Sequence, residues 1–138
     1  MSLRSPAGAW LVTRMLAWRL ALPLLKRVLP LPRLARLAAG APRRRLPFTP
    51  AQVVSVSHRL FGARAAESSD CLERSLLTYR FLLRTGAAAE LVCGVRRADS
   101  AVVGHAWVAV AGAPVDEPPE ALAGYATLVA FDGSGARV

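Results

Sequence analysis

The chain has few of the residues that build cross-links and metal centres. Its 138 residues include two cysteines, Cys71 and Cys93, and two well-separated histidines. Two cysteines make no disulfide framework, and such sparse use of cysteine suits a reducing compartment, so we expect a cytoplasmic protein. No cluster of Cys, His and carboxylates has zinc spacing, and no phosphate-cradling glycine loop is present. We therefore expect no metal and no cofactor.

Acidic residues are absent from the first 66 positions, which hold twelve Lys and Arg. Positions 67–138 hold nine acids against six bases, so the net charge of +9 arises in the N-terminal half. A basic arm can contact nucleic acid, anionic lipid or an acidic peptide. The run Arg43, Arg44 and Arg45 lacks the interleaved aromatics and the binding fold of a nucleic-acid site, so no nucleic-acid partner is expected.

The sequence also lacks an uninterrupted run of about 18 to 20 apolar residues, so it predicts no membrane-spanning helix. Apolar side chains near the N-terminus nevertheless recur at helical spacing, with prolines expected to break the run. The apolar positions are Trp10, Leu11, Met15, Trp18, Leu22 and Leu25, and the prolines are Pro23, Pro30 and Pro32. We expect this amphipathic helix to pack on the domain or on a partner, with peripheral membrane contact as the alternative.

The length allows one domain with a hydrophobic core but not two ordinary ones. We expect a basic helical region at 1–47, with a short helical piece at 33–39, followed by a domain at 48–138. Thr49, Pro50 and Gln52 predict the start of a helix that ends at Gly62, because Thr and Gln can form a capping box around Pro. His58 lies within that helix, and we expect a surface or packing role for it.

A second capping pattern surrounds Cys71. Asp70 followed by Glu73 predicts a capping box, with Asp70 at the N-cap, Cys71 at the first helical position and a helix to about Thr85 before Gly86. The positive end of a helix lowers the pKa of a thiol toward the reactive thiolate, although the two adjacent carboxylates oppose this. The simplest alternative is a buried structural cysteine.

Beyond the cysteine helix, the apolar pattern changes to period two, which predicts strands at 90–96, 102–111, 114–117 and 126–131. The short turns favour an antiparallel sheet, and thus an α+β fold. Cys93 alternates with its neighbours inside a strand and is interpreted as a small packed residue.

His105 lies in an otherwise apolar strand, where a titratable side chain is unusual and suggests a specific role. A two-residue hairpin at 111–112 or 112–113 would place Asp116 on the face of His105 and turn Glu117 away. The sequence therefore predicts Cys71 as nucleophile, His105 as its base and Asp116 as the acid that orients the imidazole. A histidine that satisfies a core hydrogen bond and an acid in a surface turn are the simpler alternatives.

Four segments carry a resemblance that covers about residues 48–130. They are Asp70-Cys71-Leu72-Glu73-Arg74-Ser75-Leu76, Leu82-Leu83-Arg84-Thr85-Gly86, Ala89-Glu90-Leu91-Val92-Cys93-Gly94-Val95-Arg96 and His105-Ala106-Trp107-Val108. Together they resemble the transglutaminase-like maturation protease of lasso-peptide gene clusters, the McjB C-terminal-like domain. In that family a cysteine, the histidine of His-Ala-Trp and a following aspartate form the triad, which falls on Cys71, His105 and Asp116.

The resemblance implies a papain- and transglutaminase-like fold, with the nucleophile at the start of a central helix packed on an antiparallel sheet. It implies a leader peptidase that cuts a ribosomally made precursor so that a separate ATP-dependent cyclase can close the macrolactam. We expect no winged-helix-like recognition domain before the protease, so the resemblance is to the split form, whose leader is held by a separate recognition protein. One departure is Ala109, where the family usually has an acidic residue.

The resemblance also suggests a role for the basic N-terminal half, which we expect to bind the recognition protein or an acidic part of the leader. For the oxyanion we expect the Cys71 backbone N–H plus one further donor, with Ser68 or Ser69 as candidates, while Gln52 lies on another helix. The alternatives are an acyltransferase or amidase with the same triad, and a non-enzymatic basic adaptor of membranes or nucleic acid.

Overall fold

Four helices precede a four-stranded antiparallel sheet in the computed structural model, which describes residues 2–41, 44–62 and 70–138. The helices are α1 (Pro6–Val28), α2 (Leu31–Ala39), α3 (Pro50–Phe61) and α4 (Cys71–Arg84). The strands are β1 (Ala89–Ala98), β2 (Ala101–Val110), β3 (Ala113–Pro114) and β4 (Ala126–Phe131), with a 3₁₀ turn at Pro119–Leu122. The strand order is β3-β2-β1-β4, which confirms the α+β fold with a cysteine-bearing helix and an antiparallel sheet.

Helix α4 is the centre of the molecule. It is buried without interruption from Glu73 to Leu82, and it contacts all three other helices as well as β1 and β2. The period of its apolar residues predicts one buried stripe, but packing on every side also buries the polar positions between them. The buried part of this helix begins two residues after Cys71 and is held by neighbours on several sides.

One hydrophobic core joins the N-terminal helices to the sheet. Its members are buried and come from every helix and from β1, β2 and β4, and they include Leu11, Met15, Leu22, Leu34, Val53, Val56, Leu76, Leu82, Leu91, Val108 and Phe131. Helices α1 and α2 therefore pack against the same core as α4. The boundary near residue 48 stays a prediction.

Pro23 lies inside α1, so the prediction that it breaks the helix is wrong. A proline in a helix interior removes one backbone hydrogen bond and costs about 3 kcal/mol. Leu22 beside it is almost completely buried, as are Leu11 and Met15 on the same face, and this packing offsets the loss. The helix ends at Val28, with Leu29 as its C-cap immediately before Pro30. Within the described ranges, no helix has both the length and the apolar content needed to cross a membrane.

The hairpin between β2 and β3 closes on Ala111 and Gly112, the first of the two expected registers. Both residues have positive φ, 54° and 80°, as a type I′ turn requires. The paired residues are Ala109 with Pro114 and Val110 with Ala113. Strand β3 is thus only two residues long, whereas the sequence predicted pairing through Glu117.

Candidate active site

Cys71 is the first residue of α4, and Asp70 occupies the N-cap position as predicted. The expected capping box is wrong, because the Asp70 side chain accepts no cap hydrogen bond within the described part of the chain. Glu73 turns instead toward α1, where its carboxylate pairs with Nζ of Lys26 at 2.9 Å. This pairing compensates one of the two negative charges that were expected to oppose ionisation of the thiol.

Strand β2 is attached to the first turns of α4 at Ala106. The hydroxyl of Ser75 donates to the Ala106 carbonyl at 2.9 Å, in a buried contact. The backbone N–H of Ala106 donates to the sulfur of Cys71. Cys71 and Ser75 are four residues apart, so they project from the same face of the helix. The two bonds place His105, the preceding residue of β2, beside the thiol.

His105 and Cys71 are hydrogen-bonded to each other. Burial is the largest influence on the thiol and raises its pKa. The bond from His105, the Ala106 N–H and the charges of His105 and Arg74 outweigh burial, so the pKa of Cys71 lies below its ordinary value of 9.0. The same bond with Cys71, followed by one with Glu117, raises the pKa of His105 to about 9. These opposite shifts favour a thiolate–imidazolium pair.

The acid that contacts the imidazole is Glu117. Nε2 of His105 lies 2.8 Å from both Oε1 and Oε2 of Glu117. Because Nε2 faces the carboxylate, Nδ1 is the ring nitrogen left for the sulfur. The predicted contact between Asp116 and His105 is wrong, as is the prediction that Glu117 points away.

Asp116 is buried one residue earlier, with different partners. Its Oδ1 accepts from the backbone N–H of Val108 at 3.3 Å, and its Oδ2 lies 3.6 Å from the guanidinium of Arg74. The parity argument failed because alternation of faces holds only inside a strand ladder, and β3 leaves the ladder after Pro114. The last ladder-like bond runs from Val115 N–H to the Val108 carbonyl.

Arg74 joins the two carboxylates and was missed as a site residue. Its buried guanidinium donates to Oε1 of Glu117 and faces Oδ2 of Asp116. Burial is the largest influence on both acids, but bonds from His105 and Arg74 lower the pKa of Glu117, whereas the pKa of Asp116 is raised. The sequence feature that could have identified Arg74 is its spacing, since a residue three positions after Cys71 lies on the same side of the helix.

Aromatic rings surround the imidazole on the sheet. The ring of His105 stacks on Trp107, two residues along β2, with their centroids 6.0 Å apart. Tyr125, which precedes β4, lies 5.3 Å from the imidazole, and the guanidinium of Arg96 lies over the Tyr125 ring at 5.2 Å. No pattern in the sequence pointed to Tyr125, because its approach depends on β4 pairing with β1.

A cavity of about 940 Å³ opens between α3 and the segment 115–118, with Arg74, Asp116 and Glu117 in its wall. His58, on α3, contributes to the same wall, and its Nε2 lies 3.2 Å from the carbonyl oxygen of Asp116. Glu117, which contacts His105, and its neighbour Asp116 are therefore close to a space large enough for a peptide segment or a small molecule.

Cys93 differs from Cys71 in its surroundings. It pairs with Ala106 across the sheet and is half-buried, and burial followed by the nearby Cys71 raises its pKa to about 11. Among the predicted oxyanion donors, Ser68 and Ser69 lie outside the described residues. The side chain of Gln52 accepts from the backbone N–H of Thr49 in the capping box of α3.

The model of the Transglutaminase-like superfamily matches residues 12–130. The chain belongs to this superfamily. The match includes most of α1 and all of α2, α3, α4 and the strands except the last residue of β4. No curated protein and no solved structure matches the chain. Membership in a superfamily of generally cysteine-dependent enzymes indicates peptidase- or acyltransferase-type chemistry.

Proposed function

We propose that the chain is a cysteine peptidase that removes the leader from a ribosomally synthesised lasso precursor peptide. The observation that carries the chemistry is the chain of contacts from Cys71 through His105 to Glu117 at the start of a buried helix. A thiolate paired with an imidazolium is the reactive state of a cysteine nucleophile. The choice of a leader peptide as substrate comes from the resemblance of the motifs around Cys71 and His105.

In the proposed reaction, the Cys71 thiolate attacks the carbonyl carbon of the scissile peptide bond. The tetrahedral intermediate collapses with cleavage of the C–N bond, and the imidazolium of His105 gives its proton to the leaving amine. Water then attacks the thioester, with neutral His105 accepting its proton, and the free thiolate returns as the leader carboxylate departs. The backbone N–H of Cys71, at the positive end of α4, is the proposed oxyanion donor.

Glu117 takes the orienting role in this proposal, in place of Asp116. Its carboxylate holds the imidazole by two contacts of 2.8 Å and stabilises the positive ring. Asp116 acts at a distance, through Arg74 and through the Val108 N–H. The two neighbouring acids thus have separate roles in the proposal. Glu117 contacts the reacting imidazole, and Asp116 holds β2, the strand that carries His105, at the Val108 N–H.

The proposed partners are the leader of the precursor, a separate leader-recognition protein and the lasso cyclase. The basic N-terminal helices are the proposed docking region for one of the first two, because an acidic surface would complement their charge. Arg44 and Arg45 belong to this region, whereas Arg43 lies outside the described residues. Charge reversal of all three arginines should weaken the association, and unchanged binding would contradict this part of the proposal.

The test is a cleavage assay with the purified chain and a candidate lasso precursor, with and without the recognition protein. Mass spectrometry should show the free leader and core peptide, whose masses together exceed the precursor by one water. Cys71→Ala should abolish cleavage and His105→Ala should nearly do so, while Cys93→Ala serves as the matched control and should remain active. Full activity of Cys71→Ala would end the proposal.

The superfamily match supports one other reaction at the same site, namely acyl transfer or amide hydrolysis on a different substrate. The thioester would form in the same way, and only the acceptor would differ. Adding a small amine to the assay separates the reactions. An acyltransferase would produce an amide whose mass exceeds that of the corresponding free acid by the amine less one water. A peptidase would release the leader as a free acid.

A further inference from the structure

A second cavity, of about 330 Å³, lies far from Cys71 and carries a concentration of positive charge. Four of its lining residues are arginines, namely Arg14 of α1, Arg44 of the segment between α2 and α3, and Arg80 and Arg84 of α4. Arg80 and Arg84 are nine and thirteen residues beyond Cys71 in the same helix, which corresponds to about 14 and 20 Å along its axis. The cavity is therefore separate from the candidate active site.

The inner two arginines are held in place by the end of α2. One nitrogen of Arg80 donates to the carbonyls of Leu37 and Ala38 at 3.2 and 3.1 Å, and Arg84 donates to that of Ala39 at 3.0 Å. These bonds fix the two guanidinium groups before any ligand arrives, which reduces the conformational entropy lost on binding. Arg14 and Arg44 are exposed and form the outer part of the cavity.

Apolar side chains complete the cavity. Trp10 is 49% exposed and lies under the guanidinium of Arg14, with 5.8 Å between that group and the ring. Leu46 and the buried Phe81 also line the cavity, and Leu46 is tied to α4 by a bond from its N–H to the Arg84 carbonyl. Among the described residues that line this space, none is acidic. The molecule supplies a pocket that is both basic and apolar.

We propose that this arginine pocket binds an acidic side chain of a peptide partner, with a neighbouring apolar side chain packed on Trp10. A guanidinium binds a carboxylate through two parallel hydrogen bonds, and such charge-assisted bonds are strong where water is partly excluded. A glutamate or aspartate beside an apolar residue matches this lining, because its carboxylate can reach the guanidinium groups while the apolar side chain contacts Trp10 or Leu46.

If the bound peptide is the leader, the pocket is a part of the substrate-binding site, and this identification rests on the proposed function. An extended chain covers at most about 3.6 Å per residue, so at least about four residues must separate the acidic side chain from the scissile bond. Binding itself does not require cleavage. Measurements in the Cys71→Ala background therefore keep a failure of this inference distinct from a failure of the peptidase proposal.

The experiment is calorimetric titration of Cys71→Ala with a short blocked peptide that alternates Glu and Leu, and with its Gln-for-Glu counterpart. Arg14→Gln/Arg44→Gln removes two exposed charges from the pocket and leaves the α2 contacts of Arg80 and Arg84 intact. Arg27→Gln/Arg33→Gln is the matched control, since it removes the same charge from exposed positions outside the pocket. We expect the pocket variant and the Gln peptide each to bind about tenfold or more weakly, and the control variant to bind normally.

Equal binding of the two peptides would overturn the proposal, as would equal weakening by the pocket and control variants, which would indicate general charge attraction. Inorganic phosphate, phosphatidylserine vesicles and a short single-stranded oligonucleotide are titrated as competing classes of ligand. If one of these binds the chain and loses affinity only in the pocket variant, while the Glu peptide does not bind, the pocket is a phosphate site and the proposal is wrong.

Discussion

Glu117 contacts Nε2 of His105 with both of its carboxylate oxygens, each at 2.8 Å. These contacts fix the ring, leave Nδ1 for the Cys71 sulfur and help to raise the pKa of His105 to about 9. Asp116, the adjacent acid, also faces the Arg74 guanidinium, but it accepts from the Val108 backbone N–H and has no contact with the imidazole among the described bonds. Two neighbouring acids with such different partners can be separated by experiment.

Glu117→Gln should reduce kcat/KM by about a hundredfold or more, since it removes the negative charge that stabilises the imidazolium while keeping the size of the side chain. Asp116→Asn should reduce it by less than about tenfold, because its Oδ1 can still accept from the Val108 N–H. The measurement is the steady-state rate of leader release for the two isosteric variants. A larger loss in Asp116→Asn than in Glu117→Gln would restore Asp116 as the orienting acid.

Alkylation of the two cysteines should differ strongly at neutral pH. Iodoacetamide reacts with thiolates, and the pKa of Cys71 is lowered while that of Cys93 is raised to about 11. We expect one rapidly labelled site in the native protein, assigned to Cys71 by peptide mapping. Cys93→Ala should retain the rapid phase and Cys71→Ala should lose it. Fast labelling of Cys93 in the native state would contradict the pKa order of the two thiols.

The pH dependence of kcat/KM should be bell-shaped, with an alkaline limb near pH 9. The pKa of His105 is raised from 6.5 to about 9, so the imidazolium that donates to the leaving amine persists up to that pH and is lost above it. The acidic limb should lie below pH 9.0, because the thiolate of Cys71 forms at lower pH than an ordinary thiol.

Glu117→Gln provides the control for the alkaline limb. Its carboxylate is the second-largest cause of the raised His105 pKa, after the bond with Cys71, so the limb should move to lower pH in the variant. Asp116→Asn should leave the limb near its original position. An alkaline limb that stays in place in Glu117→Gln would show that another group titrates there.

The elements that carry the site were largely predictable from periodicity. Strand β4 has the predicted bounds, and α4 begins at Cys71 with Asp70 before it, because both depend on local patterns of apolar and capping residues. A titratable residue in an apolar strand suggested that His105 would lie near Cys71, and a bond between the two shifts the pKa of each. Their catalytic roles stay a prediction. Local rules failed at Pro23, which lies inside α1, and at the capping box expected for Asp70 and Glu73.

The identity of the acid was not predictable, because it depends on where a short strand ends. Parity would place Asp116 beside His105 only if β3 continued through Glu117, but the ladder stops at Pro114. The burial of Arg74 was missed for a related reason. A charged residue is rarely fully buried without a partner, and its partners, Asp116 and Glu117, are more than forty positions later in the chain.

Arg74 should be needed for folding because it is the positive group buried between two carboxylates. Arg74→Met leaves Asp116 and Glu117 close together without that charge, and removal of one partner from a buried ion pair costs about 3–5 kcal/mol. The loss of folding free energy should be largest at neutral pH. There the two buried acids either remain charged without the guanidinium or must take up a proton on folding, and both cost free energy. Thermal unfolding of the variant and the wild type, measured at several pH values, gives the difference.

The sign of this dependence follows from Glu117. Its pKa in the folded protein lies below its ordinary value of 4.5, so its ionised form stabilises the fold above that pH, and the contribution is lost as the pH falls through the lowered pKa. In Arg74→Met the pKa values of both acids rise, so the folded variant binds protons more readily and loses stability as the pH increases. The difference in Tm between wild type and variant should therefore shrink as the solution is made acidic. Arg97→Met, at an exposed position of β1, should change Tm little at any pH. A difference for Arg74→Met that is constant with pH would mean that its packing, and not its charge, stabilises the site.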